Sequence, residues 1–261
     1  MKIIRKAFKY RLDTNTEQAK NLAEFSGACR FVWNKALSMN LHRLENKQNI
    51  LWESELCFWL KLWKDSDDYG WLKKCHSQPL QQSLKNLDRA FKDGFDKNQP
   101  LQRIPNFKKK GVSTDSIRYP QGFKIDQENS KIFIPKIGLI GYRNSRNIEG
   151  EPKNITISRK GKYWFVSVQV EIEAIEKPHP SKSFVGIDMG VKRFATLSTR
   201  KFYAPLNSFK NKQTKLAKLQ RKLKNKVKFS NNWKNLQAEI GELHISIANA
   251  RHDYTHKVSS Q

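Results

Sequence analysis

Residues 183–199, SFVGIDMGVKRFATLST, contain the side chain best placed to do chemistry, Asp188. It closes a short apolar run, Gly190 follows two positions on, and a second apolar run returns at once. Two apolar runs broken by a tight turn predict a buried strand and a hairpin, with the carboxylate presented where the strand ends. A carboxylate in that place can ligate a divalent metal for phosphodiester hydrolysis. Such chemistry needs several acids around two ions about 3.5–4 Å apart. The plain alternative is an ordinary turn, in which Asp accepts backbone hydrogen bonds and Gly takes positive φ.

The acids after Asp188 are Glu239, Glu242 and Asp253, all on a predicted helix among basic neighbours, where surface ion pairing accounts for them. His244, His252 and His256 could touch phosphate or metal, but the last two lie near a helix end whose dipole explains them. One carboxylate does not hold two metals. Mg2+ is therefore not expected to stay bound at Asp188, and the chain alone is expected to cleave little or nothing. The same D-x-G pattern opens the phosphate loop of actin-like ATPases, whose other Gly-rich loops are absent here. Cys29, Cys57 and Cys75 lie far apart with no CxxC pair, the pattern of reduced cytosolic thiols in packing roles, with no zinc site.

Charge is the stronger statement. Fifty Lys and Arg against 24 Asp and Glu leave +26 on 261 residues, while 38% hydrophobic and 11% aromatic content is enough for real cores. A folded polycation of this kind attracts polyanions, and nucleic acid is the expected partner, ahead of a ribosomal role or an acidic membrane surface. No apolar run approaches the roughly 20 residues of a spanning helix, and MKIIRKAFKYRL lacks the apolar core of a signal peptide.

Particular residues are expected to grip. Lys108, Lys109 and Lys110 form a basic loop near Phe107, Arg118 and Tyr119, a mixture suited to backbones and splayed bases. Residues 210–228 make a helix that is cationic outside its leucine stripe, with Lys215, Lys218, Arg221 and Lys222 as a phosphate track. Lys192 and Arg193 flank the Asp188 turn, and Gln81 and Gln82 could read adenine edges in a major groove, or be ordinary surface glutamines.

The elements that must position these residues follow from periodicity. Ile3 to Leu12 alternates as a strand, with Ile4, Lys6, Phe8 and Tyr10 on one face. Thr14 to Glu17 has the form of a capping box, opening a helix to about Leu44 with Leu22, Phe25, Cys29, Val32, Trp33 and Leu37 inward. Trp52 to Trp63 predicts a second helix, Trp71 to Cys75 a shorter piece, and Pro79 opens a third with Leu80, Leu84, Leu87, Phe91 and Phe95 inward. From Pro105 the period changes to short alternating runs, and Lys160-Gly161 predicts a hairpin turn. Residues 113–173 are expected to form a small antiparallel barrel or sandwich joined by the first strand, which makes the helical part an insertion. EKPHPSKS at 176–183 is expected to be a linker. Leu216, Leu219, Leu223 and Val227, then Leu236, Ile240, Leu243, Ile247, Ala250 and Tyr254, predict a two-helix hairpin broken at Asn231-Asn232. That apolar pattern still runs at Gln261, so a domain is expected to be cut there.

RKAFKYRL, FSGACRFVWNKAL, PLQQSLKNLDRAFK, IPNFKKKG…SIRYP, VGIDMGVKRFATLS and LAKLQRKLKNKVKFSNNWKN…IANARHDYTHKVS stand in this order along the whole chain. In these motifs the sequence closely resembles the TnpB (OrfB) family of insertion-sequence proteins, long called transposases and understood as RNA-guided DNA endonucleases. The resemblance implies an α+β fold: an antiparallel β-barrel wedge domain (1–13 plus 101–180) with an inserted helical recognition domain (14–100). An incomplete RNase H-like (RuvC) α/β domain with a basic helical hairpin (181–261) would follow. It implies that Asp188 matches the first RuvC carboxylate, that guide RNA and a double-stranded DNA target are partners, and that the setting is the bacterial cytoplasm at the nucleoid. Family members continue beyond HKVS with a second acid, a zinc-binding CxxC…CxxC segment and a third acid, none of which is in this sequence. The resulting expectation is an RNA-guided DNA-binding protein deficient in cleavage. The alternatives are a metal-dependent nuclease completed in trans by a second protomer or C-terminal fragment, and an inert remnant of a decayed gene.

Overall fold

A computed structural model describes residues 2–99, 101–111, 115–174, 181 and 184–260. The chain divides into two units, Met1–Ile175 and Glu176–Gln261. Apart from Ser181, the proline-containing segment 176–183 lies outside the described residues.

The first unit is a sheet with three helices. β1 (Lys2–Asp13) leads into α1 (Thr16–Glu45), α2 (Glu53–Asp65), a 3-10 turn (Gly70–Lys74) and α3 (Ser77–Phe95). Six strands follow: β2 (Ser116–Tyr119), β3 (Lys124–Asp126), β4 (Lys131–Ile134), β5 (Gly138–Tyr142), β6 (Glu151–Lys160) and β7 (Tyr163–Ala174). The cap of α1 falls one residue later than the sequence suggests. Asn15, not Thr14, accepts from the Gln18 amide at 2.8 Å, and the Gln18 side chain accepts from the Asn15 amide at 3.1 Å.

The strand order is β2-β6-β7-β1-β5-β4-β3, antiparallel throughout. β1 pairs with β7 from Lys2↔Ala174 to Arg11↔Phe165, then passes to β5 through Leu12↔Tyr142 and Asp13↔Gly141. The expected barrel is not formed. Closure would require β2 and β3 to pair, and these outermost strands, of four and three residues, form no ladder with each other. The sheet is open.

Alternation on β1 buries Phe8, Tyr10 and Leu12, and Gly161, at φ +61°, takes the turn between β6 and β7. One apolar core joins the sheet to the helices: Leu22, Val32 and Leu37 of α1, Leu80, Leu84 and Leu87 of α3, Ile117 of β2, and Val166 and Val168 of β7. Burying each such side chain is worth roughly 1.5–3 kcal/mol. Phe95, expected inward, is half exposed at the end of α3.

The second unit holds β8 (Ile187–Met189), β9 (Ala195–Leu197) and β10 (Phe202–Tyr203), then α4 (Ser208–Lys224) and α5 (Asn231–Ser259). The sheet order is β10-β9-β8, so β8 is an edge. Leu216 and Leu219 of α4 meet Leu243 and Ile247 of α5 in a small core of their own. Val227, expected on that stripe, lies in the connecting loop and is exposed. Ser230 caps α5 by accepting from the Trp233 amide at 3.2 Å, so Asn231 opens the second helix instead of breaking the first. No described helix is long and apolar enough to cross a membrane.

A candidate nucleic-acid interface

In the first unit, a polar recess is lined by Arg30 of α1, Gln82 and Asn86 of α3, Lys108 and Asp115 of the segment before β2, and Arg118 of β2. Its placement starts with one side-chain amide. Asn34 donates to the Lys108 carbonyl at 2.9 Å and accepts from the Lys108 amide at 2.8 Å, fixing the basic loop to α1. Trp33 Nε1 donates to the Asn106 carbonyl at 3.1 Å, and the Lys108 ammonium lies 3.7 Å from the Trp33 ring centroid. Burial holds Lys108 below the usual lysine range, with the nearby Cys29 opposing. The Arg30 guanidinium meets Asp115 at 2.9 Å. At about 40 Å3 the recess accepts water-sized groups, such as an oxygen of a phosphate, but no base.

Of the residues singled out from sequence, Lys108, Arg118 and Gln82 are brought together here. Gln82 Nε2 donates to Asn86 Oδ1 at 2.9 Å, while Gln81, Lys109 and Lys110 are exposed. Tyr119 is corrected: it is fully buried under β2, and so cannot stack on a base in this conformation. Alternation explains this, since Ile117 and Tyr119 face inward and Arg118 between them faces out. Arg30, Asn34 and Asn86 were not anticipated; their polarity amid the apolar stripes of α1 and α3 was the available signal.

In the second unit Asp188 sits on β8 opposite Thr196, and all three strand residues are exposed, Ile187 and Met189 at 61% each. The expectation of a buried strand fails there. The helical hairpin buries its leucines within itself; it touches the sheet segment where Phe194 meets the Tyr254 ring at 5.2 Å and where the Tyr254 hydroxyl donates to the Ala204 carbonyl. Lys192 is exposed, and the Arg193 guanidinium lies 4.4 Å from the Phe202 ring centroid. On α4, Lys215, Lys218, Arg221 and Lys222 stand on a helix that carries no acid, and all four are exposed. Spacings of three and four place Lys215, Lys218 and Lys222 along one face.

Asp253 is engaged by Lys257 at 2.8 Å, the helix-surface pairing expected of it. Among the described residues, no group of three or more His, Cys, Asp or Glu is arranged to hold a metal ion. Asp188 thus belongs to no such group among them, and the donors that the described residues supply do not fit a two-metal centre.

Residues 167–261 match the OrfB_IS605 family, described as "Probable transposase". InsQ of Escherichia coli (strain K12), whose name proposes an RNA-guided DNA endonuclease, is 47% identical over 254 residues, 97% of this chain and 62% of InsQ. The chain belongs to the OrfB (TnpB) family. A Streptomyces pristinaespiralis protein whose name proposes the same activity is 31% identical over 265 residues, 100% of this chain and 65% of that protein. The chain therefore spans less than two thirds of the length of either relative. Residues 1–49 match a family described as a helix-turn-helix domain, yet in this fold they form one strand and one 30-residue helix, with no turn between two helices.

Proposed function

We propose that the chain is a transposon-associated, RNA-guided DNA-binding protein that does not cleave by itself. The observation that carries this reading is the acid-free cationic face of α4 in a chain of net charge +26. Such a face tracks phosphates without reading sequence. Guide pairing would then supply the sequence, while the protein reads shape and a short duplex motif. In this reading residues 1–13 with 101–180 act as the wedge, 14–100 as the recognition part, and 181–261 as an RNase H-like portion. Arg30, Lys108 and Arg118 hold a backbone phosphate at the recess, Gln81 and Gln82 lie within reach of base edges, and Lys109 and Lys110 add charge at the loop. The names of the relatives support guide RNA and DNA as partners; the setting that goes with this reading is the bacterial cytoplasm at the nucleoid.

The test is to purify the chain from its native operon context and sequence the RNA that accompanies it. A discrete RNA with one uniform end and one variable end is expected. A random population lost at moderate salt would overturn the guided reading and leave an inert remnant.

A second reading has one observation in its favour: Ile187, Met189 and Val191 around Asp188 are exposed apolar residues. A further polypeptide that covered them could also complete the acids and make a Mg2+-dependent endonuclease. Incubating the guide complex with Mg2+ and guide-matched DNA, with and without a C-terminal fragment carrying the remaining acids, decides it. No cleavage in either mixture supports the first reading, and cleavage that needs the fragment and is abolished by Asp188→Ala supports the second.

A further inference from the structure

Helix α2 is apolar on two sides, and only one of them is covered. Leu56, Leu60 and Trp63, spaced at four and three, are buried in the core of the first unit. Away from that core, Phe58 is 62%, Trp59 38% and Leu62 42% exposed, and Trp52, the residue ahead of the helix, is 37% exposed. Phe58 and Trp59 stand four and three residues before Leu62 and so share its face, with Trp52 about two turns before Trp59. At its N-terminal end this face runs into an open depression of about 470 Å3, lined by Leu44 of α1, Ile50, Trp52, Glu55 and Phe95 of α3. An apolar ridge with a hollow at one end is a surface onto which another helix packs.

Charge decides what kind of partner fits. Residues 46–69, the stretch between α1 and the 3-10 turn, hold five acids and three bases in a chain of net charge +26. One of those bases is directed elsewhere, with Lys64 Nζ donating to Ser77 Oγ of α3 at 2.7 Å. Glu55 marks the N-terminal end of the apolar face, and the exposed Asp67 and Asp68 follow its C-terminal end. Acids at both ends, roughly 15 Å apart along the helix, repel a phosphate backbone, so these aromatics are not a base-stacking platform. They also oppose a second copy of the chain. Pairing α2 with α2 by two-fold symmetry, parallel or antiparallel, sets acid against acid. A helix with an apolar stripe and lysines or arginines near its ends complements both the ridge and its charge.

We propose that the solvent face of α2 is a docking site for a basic amphipathic helix of another polypeptide. One large apolar side chain of that helix fills the depression beside Trp52 and Phe95, and its following turns lie along Trp59, Phe58 and Leu62. Its cations reach Glu55 at one end and Asp67 and Asp68 at the other. The site stands on α2 and its flanking residues, so it does not depend on the guided-binding reading.

The test titrates the full chain into a fluorescein-labelled peptide of about 18 residues, leucine and lysine at helical spacing, and follows anisotropy. A chain of net charge +26 repels such a peptide over most of its surface, so binding reports an acidic, apolar face. Saturable binding is expected, weakened about tenfold or more by Phe58→Ser with Leu62→Ser. Asp67→Asn with Asp68→Asn is expected to weaken it about threefold and to flatten its salt dependence. A peptide with serine in place of leucine is expected not to bind, a control that holds whether or not a variant of the chain folds. Equal binding of the serine peptide, or of the leucine peptide by the Phe58→Ser, Leu62→Ser chain, would overturn the proposal. So would weaker nucleic-acid binding by that chain, which would make the face a nucleic-acid contact, or a wild-type oligomer that it dissolves in sedimentation, which would make it a contact between copies.

Discussion

Three side-chain amides do the same work at three loops, each gripping both backbone groups of one residue. Asn34 holds Lys108, Asn40 holds Leu51 at 2.9 and 2.8 Å, and Gln127 holds Ile148 at 3.2 and 2.7 Å. Asn40 is fully buried, so Asn40→Ala leaves a buried peptide group unpaired and is expected to lower stability by about 2–4 kcal/mol in urea unfolding. Asn34→Ala costs less stability but frees the Lys108 loop, and nucleic-acid affinity falls with it. Tyr119 answers a different question, because its buried hydroxyl has no partner among the described residues. Tyr119→Phe is expected to keep stability within about 1 kcal/mol of the wild type and leave binding unchanged; weakened binding would return Tyr119 to the interface. His76 is held below the usual histidine range by burial and by Lys136 and Lys64. A group depressed in the fold takes up protons more readily when unfolded, so stability is retained above about pH 6.5 and declines as pH falls below it. His76→Gln should flatten that decline in urea midpoints measured across the window. Side-chain partners such as these were not legible in the sequence, because Asn34 and Asn40 meet segments whose approach is set by the whole packed core.

At the scale of elements, long periods were legible and ends were not. The alternation from Ile3 to Leu12 locates β1, and the leucines of α1 and α3 locate their helices, since each pattern repeats several times within one segment. The stripe of α4 overruns because leucine spacing alone cannot say where a helix stops; the chain leaves it at Asn225 and turns through Phe229 at φ +69°. Whether a sheet closes depends on the reach of β2 and β3, which no local pattern encodes. Gly150 shows how tight one such junction is. It sits ahead of β6 at φ +90°, and a Cβ there would lie 2.5 Å from the Glu171 carbonyl oxygen. Gly150→Ala is expected to cost about 3 kcal/mol or more in urea unfolding. Charge on α4 was fully legible, and it carries its own prediction. Replacing Lys215, Lys218, Arg221 and Lys222 by Gln is expected to flatten the dependence of log affinity on log salt by about 0.9 for each duplex phosphate left without its cation. An unchanged slope would take α4 out of the interface.

For the molecule as a whole, the two units differ in how well they are finished. The first buries one continuous core across helices and sheet, while the second leaves an apolar edge strand open to solvent. An open apolar edge promotes association between copies. Ile187→Lys with Val191→Lys is expected to reduce self-association in sedimentation measurements, whereas Asp188→Asn leaves it unchanged.

The central position of β1 carries a consequence for synthesis. Its main partner, β7, begins only at Tyr163, most of the first unit later in the chain. At about 5–20 residues per second, β1 waits roughly 8–30 s on the ribosome before its ladder can form, while α1 to α3 have already emerged. During that interval its Arg5, Lys6, Lys9 and Arg11 make it a poor template for a neighbouring nascent strand. The lysines and arginines of the first strand thus guard the newborn chain before any of them can meet a phosphate.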